Sequence, residues 1–248
     1  TCSPMPLIRF DRVTKTYSRQ SRQFLWRFLL EAFGRKRAEP IQALRDVSFE
    51  VTEGRSLAVI GRNGAGKSTL LSLVAGLTAP EAGTVEVEGR VMALLELGSG
   101  FHPDLTGAEN LRINAALSGL SRQETEERFQ RIVEFGELGE FIQEPLRTYS
   151  QGMILRLAFS VAIHVDADIL LLDEVLVVGD LEFQRKSLRR IVELKRQGKI
   201  LLCVAHTPEM LKELCEEALW LDSGRAILQG PAEEVIDAYQ SGATPHQR

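Results

Sequence analysis

The chain has 248 residues, 44% of them hydrophobic and 26% charged, with a formal net charge of −4. That length allows one large domain or two small ones, and a charged fraction near the soluble average excludes a wholly disordered chain. No apolar run approaches the roughly 18 residues of a membrane-spanning helix. The apolar stretches, such as Ile169 to Leu172, are strand-length. The first 20 residues hold Arg9, Asp11, Arg12, Lys15 and Arg19 and no apolar core, so no secretory signal is expected. Cys2, Cys203 and Cys215 are odd in number and lack metal-ligand spacing, which fits a reducing compartment. The mildly acidic balance argues against a nucleic-acid partner. The average hides an asymmetry. Arg19, Arg22, Arg27, Arg35, Lys36 and Arg37 face only Glu31 and Glu39 within residues 18–40, a balance of +4 that leaves −8 for the rest.

Strands are predicted at Leu7 to Val13, Ala43 to Val51 and Ser56 to Ile60. A helix from Lys67 to Ala75 stops at Gly76, and short strands at Thr84 to Val87 and Val91 to Leu95 flank a turn at Gly89. The middle reads as helical. Apolar residues recur at helical spacing from Leu105 to Leu120, and Ser121 with Glu124 is a capping-box pattern opening a helix to about Phe135. A third helix runs from Gln151 to Val165. Alternation then resumes: strand Ile169 to Leu172, helix Glu182 to Gln197, strand Ile200 to Ala205 and helix Pro208 to Glu217. A hairpin turning at Ser223-Gly224 follows, and Pro231 starts a last helix. Alternating strands and helices imply an α/β fold with a largely parallel sheet covered on both faces. The helices at 105–165 interrupt that core as an inserted subdomain.

Gly61-Arg62-Asn63-Gly64-Ala65-Gly66-Lys67-Ser68 matches G-x-x-x-x-G-K-[ST], between a buried strand and a helix start. The chemistry explains each residue type. Glycines let backbone N–H groups curl round phosphates, and the helix N-terminus adds partial positive charge. Lys67 can reach the β- and γ-phosphates, and the Ser68 hydroxyl can ligate Mg²⁺. A second acidic element is expected after an apolar strand, and Ile169 to Leu172 leads into Asp173 and Glu174. Asp173 would stand beside Ser68 and hold Mg²⁺. Glu174 would face the other side of the strand end and orient or deprotonate an attacking water.

From Leu7 to about Tyr239 the chain resembles the ATP-binding subunits of ABC transporters. The distinguishing segment is Tyr149-Ser150-Gln151-Gly152-Met153, about twenty residues before the acidic strand. In the family it contacts ATP held by the other subunit, and Ser150 and Gly152 are the retained phosphate contacts. Read alone, the segment is an ordinary helix N-cap. It departs from the common Leu-Ser-Gly-Gly-Gln and is similar to the Tyr-Ser-Ser-Gly-Met of polysaccharide exporters, those of O-antigen, capsule and teichoic acid. Leu94 to Pro103 resembles that subfamily's loop facing the membrane subunit. Asp173 to Asp180 with Glu182-Phe183-Gln184 resembles its segment after the acidic strand.

The resemblance implies further roles. The fold is a P-loop NTPase core with a mixed, largely parallel sheet, an N-terminal antiparallel β part and a helical subdomain at about 97–165. All of it forms one ATP-binding domain, 1–248. Gly61, Asn63, Gly64, Ala65, Gly66, Lys67, Ser68 and Thr69 would bind ATP, and Tyr17 would stack on adenine. His206 would contact the γ-phosphate, and Asp180 would cross a dimer interface, where the plain alternative is a helix N-cap. The loop that usually carries a glutamine has none here. Glu96 is the nearest polar residue, and a carboxylate so near a triphosphate needs the metal to offset repulsion.

Residues 18–40 are an insertion relative to that family. Seven large apolar residues fall among ten: Phe24, Leu25, Trp26, Phe28, Leu29, Leu30 and Phe33. The bland reading is a short helix packed on the domain. The sharper one is a helix at the membrane surface or the membrane subunit, its arginines meeting lipid headgroups or a lipid-linked glycan. The expected function is therefore an ATP-hydrolysing exporter subunit at the cytoplasmic face of the inner membrane. It would pair with a second copy of itself and with an integral-membrane subunit. Exporters of drugs or peptides, soluble ABC ATPases acting on ribosomes or DNA, and small-molecule kinases are the rivals. The soluble ATPases usually have two phosphate loops or coiled coils, and a kinase has no use for Tyr149 to Met153.

Overall fold

A computed structural model describes residues 5–17, 41–94, 98, 100–173, 179–204 and 207–242. Strand β3 (Ser56–Ile60) is buried at every position, as a central parallel strand must be. It lies between β7 (Ile200–Val204) and β8 (Glu217–Asp222), parallel to both. With β5 (Val91–Leu94), β6 (Ile169–Asp173) and β9 (Arg225–Pro231), the six-stranded order is β5-β6-β7-β3-β8-β9. Only β8 and β9 pair antiparallel in this sheet. Their two-residue turn is Ser223-Gly224, both at positive φ, which matches the twist a tight hairpin requires.

A separate antiparallel sheet has the order β2-β1-β4, from β1 (Leu7–Tyr17), β2 (Ile41–Thr52) and β4 (Ala82–Glu88). Register shifts between Phe10 and Val13 change the alternation of β1, with Arg12 at φ 49. Its inward residues Ile8, Phe10 and Val13 join Leu44, Phe49, Leu57, Val59 and Leu70 in a core between the sheets. Phe10 and Phe49 stack there at 4.5 Å.

Helix α1 (Lys67–Val74) follows β3. Three helices intervene between β5 and β6: α2 (Gly107–Leu117), α3 (Arg122–Gly136) and α4 (Gln151–Ile163). The capping box predicted at Ser121 and Glu124 is present. A second, Thr106 with Glu109, starts α2 two residues later than the apolar spacing predicts. Then come α5 (Leu181–Arg196), α6 (Pro208–Leu214) and α7 (Ala232–Ser241). Other boundaries differ from the sequence reading too: β1 continues past Val13 to Tyr17 through its pairing with β2. The helix predicted to reach Glu217 ends at Leu214, because Glu216 exchanges hydrogen bonds with Ser56 and draws the chain into register beside β3. Pro231 closes β9, and the last helix starts at Ala232. Among the described residues, no helix is long and apolar enough to cross a membrane.

Candidate functional site

The loop from Gly61 to Gly66 joins the buried end of β3 to α1. Gly66 caps the helix at φ 109, and a Cβ there would lie 2.4 Å from the Ala43 carbonyl oxygen and 2.8 Å from Leu44 Cδ2. Only glycine fits that close approach with that backbone. The Ala65 carbonyl accepts from Gly224 N–H at 3.0 Å, so the β8–β9 turn buttresses the loop. Lys67 is 8% exposed, and its ammonium donates to the carbonyls of Gly61 at 2.7 Å and Arg62 at 3.2 Å. Two of its three N–H donors hold it inside the curl of the loop, and one is left for an anion.

A cleft of about 560 Å³ opens over this loop. Asn63, Gly64, Gly66, Lys67, Ser68 and Thr69 line it, while Gly61 and Ala65 shape the loop from behind. Asp173 lines the same cleft, carried there by β6, whose last residue pairs with Val204 of β7. Ile41, Gln42 and Ala43 of β2, with Val204, form the remaining wall. Ser68 and Asp173 therefore both line one cleft. Tyr17 is not among the residues that line the cleft. It pairs in register with Ile41, which does line it; the residue is 42% exposed, and the Lys15 ammonium lies 5.3 Å from the ring centroid.

Ser150 and Gly152 do not line this cleft. Ser150 is exposed and caps α4, accepting from Met153 N–H at 3.2 Å. Asp180 caps α5, accepting from Glu182 N–H at 3.1 Å and Phe183 N–H at 3.0 Å. It also pairs with Arg156 of α4. The Phe183 N–H bond, followed by the Arg156 charge, holds its carboxyl below the usual range. Arg156 reaches on to Glu137 at 2.9 Å and lies over the Phe183 ring at 5.0 Å, tying α4 to α5. The sequence reading did not find Arg156; it falls one helical turn and a half after Ser150, where only spatial contact marks it. Glu174, His206, Glu96 and the 18–40 insertion lie outside the described residues.

The family described as ABC transporter matches residues 44–177, more than half of the chain and including both the phosphate loop and Asp173. The chain belongs to the ABC transporter family, in its ATP-binding subunit class. An O-antigen export system ATP-binding protein, RfbB of Klebsiella pneumoniae, is 46% identical over 240 residues, covering 95% of this chain and 98% of that protein. The teichoic acids export ATP-binding protein TagH of Bacillus anthracis is 39% identical over 233 residues, 94% of this chain and 42% of TagH. Among solved structures, the dimeric post-hydrolysis state of the ATP-binding cassette MJ0796 with ADP and Pi superposes with a TM-score of 0.72. It is 21% identical and covers 91% of this chain and 98% of the other. This ABC subunit thus shares the cassette fold.

Proposed function

We propose that this ABC subunit hydrolyses ATP to drive export of a lipid-linked polysaccharide, as half of a dimer that holds ATP between its two copies. The observation that carries the reading is a division of labour. Lys67, Ser68, Thr69 and Asp173 converge on one cleft, while Ser150 and Gly152 stand outside it on an exposed helix start. A helix N-terminus with a hydroxyl and free N–H groups suits the γ-phosphate of a nucleotide held by another copy. Lys67 and the loop N–H groups would take the β- and γ-phosphates, and Tyr17, paired with the cleft-lining Ile41, would meet the adenine. Ser68 and Asp173 would hold Mg²⁺, since a hydroxyl and a carboxylate lining one cleft are the hard oxygen donors that ion takes. When bound, the ion would offset the negative charge of the phosphates.

Glu174, next in sequence to Asp173, would orient the attacking water, and His206 would hold the γ-phosphate side. Asp180, at the start of α5, would face the second copy on closure. Substrate class follows the relatives: the export names of RfbB and TagH support a polysaccharide cargo. The subunit would work at the cytoplasmic face of the membrane against an integral-membrane partner. The 18–40 segment would meet lipid headgroups or the glycan carrier. Glu174→Gln tests the core of this reading: turnover should stop while ATP binding and dimerisation persist, and cells carrying it should lose surface polysaccharide. Parent-like turnover would refute the assignment of the base. Surface polysaccharide unchanged despite abolished turnover would refute the cargo.

A further inference from the structure

In the shared site, the signature residues must be held at a fixed angle to grip a nucleotide carried by the other copy, yet Ser150 is exposed and its hydroxyl serves its own helix cap. Its orientation is set by what precedes it. Leu146 N–H bonds Leu105 O at 2.9 Å, Arg147 N–H bonds Pro103 O at 2.9 Å, and Gly107 N–H bonds Glu144 O at 3.0 Å. The loop on the other side of these bonds is itself clamped. The side-chain amide of Asn110, 1% exposed, shares its two N–H donors among the carbonyls of His102 (3.0 Å), Leu105 (3.1 Å) and Thr106 (3.0 Å), and its oxygen accepts from His102 N–H at 2.7 Å. The last link before Ser150 is Tyr149. Its ring is buried in the core, and its hydroxyl donates to the Phe141 carbonyl. The hydroxyl fills a slot above Gly107, where a Cβ would lie only 2.2 Å from the oxygen.

An apolar side chain would fill this core position without burying a hydroxyl. The phenol adds one directional bond, whose net contribution to stability is small but whose geometry is specific. Phe141 O also accepts from Glu144 N–H at 2.8 Å, so the carbonyl does not depend on Tyr149 for a partner. We propose that Tyr149 is a positioning residue for the signature, its hydroxyl on Phe141 and its close fit to Gly107 fixing the helix start that carries Ser150 and Gly152. This rests on the shared-site reading above.

The test uses the Glu174→Gln subunit, in which ATP should trap the dimer. Dimer dissociation is followed by sedimentation in Mg-ATP. Nucleotide affinity of the diluted monomer is read with a fluorescent ATP analogue, and the unfolding midpoint is recorded. Tyr149→Phe should weaken the ATP-trapped dimer about tenfold, with monomer nucleotide affinity and unfolding midpoint unchanged. Gly107→Ala should weaken the dimer further and lower the unfolding midpoint as well, because its Cβ meets the Tyr149 oxygen at 2.2 Å and Ile142 O and Cδ1 at 3.1 Å each; the loss should shrink once Tyr149→Phe has removed the nearest of these atoms. If Gly107→Ala fails to fold, Tyr149→Phe decides by itself. A Tyr149→Phe dimer as tight as its parent overturns the positioning role while leaving the shared site standing. A Glu174→Gln parent that stays monomeric in ATP overturns the shared site, and the positioning role with it.

Discussion

The phosphate loop and the signature segment both lead into helix N-termini, and they are built in opposite ways. The phosphate loop is enclosed. Gly66 is pressed against Ala43 and Leu44, Ala65 is tied to Gly224, and Lys67 is folded onto the loop's own carbonyls. The signature is open: Ser150 is exposed, and an added Cβ at Gly152 would meet nothing nearer than Ser150 Oγ at 3.8 Å. One site is made rigid by its own contacts, and the other is held from behind and presented outward. This is the arrangement expected when each makes half of a site completed by another copy.

Three substitutions separate the two halves. Lys67→Ala removes the charge that faces the phosphates, and ATP turnover should fall by about 10²–10³-fold. Parent-like hydrolysis would show that the loop does not do the chemistry. The glycines give the next contrast. Gly66→Ala forces a Cβ into the Ala43 carbonyl at a backbone angle alanine avoids, and should cost about 2 kcal/mol or more in a denaturant titration. Gly152→Ala has room, so it should leave stability unchanged or raise it by up to about 1 kcal/mol, because alanine favours helix. ATP-driven dimerisation should nevertheless weaken. Equal losses of stability in the two variants would erase the distinction between the halves.

The smallest effect concerns pH. Burial, with the Glu144 charge adding, pushes the Tyr149 phenol up to about 12. The unfolded chain releases that proton near the ordinary value of about 10, so stability should decline as pH rises from there toward 12. Tyr149→Phe should lack this alkaline step in its denaturant midpoints. An identical decline in both proteins would assign it to other groups.

Legibility in the sequence follows the same division. The phosphate loop, the Ser121 capping box and the Ser223-Gly224 turn are each set by a few adjacent residues, so sequence spacing reveals them. Asp173 was also legible, because an apolar strand ending in an acid belongs beside such a loop in a parallel sheet. The end of α6 was not: the chain leaves the helix at Leu214 because Glu216 is caught by Ser56, a contact between residues 160 positions apart. The bulges in β1, likewise, depend on its pairing with β2 and β4. At the signature, Ser150 and Gly152 could be named from their motif. The Tyr149 hydroxyl, Gly107 and Asn110 could not, since their roles appear only when segments 102–110 and 141–149 are brought together. Arg156 and its bridge from Glu137 to Asp180 were hidden for the same reason.

The central claim is that one working site takes Lys67 from one copy and Ser150 from the other. It is tested by mixing Lys67→Ala and Ser150→Phe subunits, both in the Glu174→Gln background, and following dimer formation in Mg-ATP by sedimentation. Each variant alone should remain monomeric, because both of its sites lack one half. The mixture should form dimers, since a mixed pair restores one complete site. If the mixture remains as monomeric as its two components, the site is not shared between copies and the account is wrong.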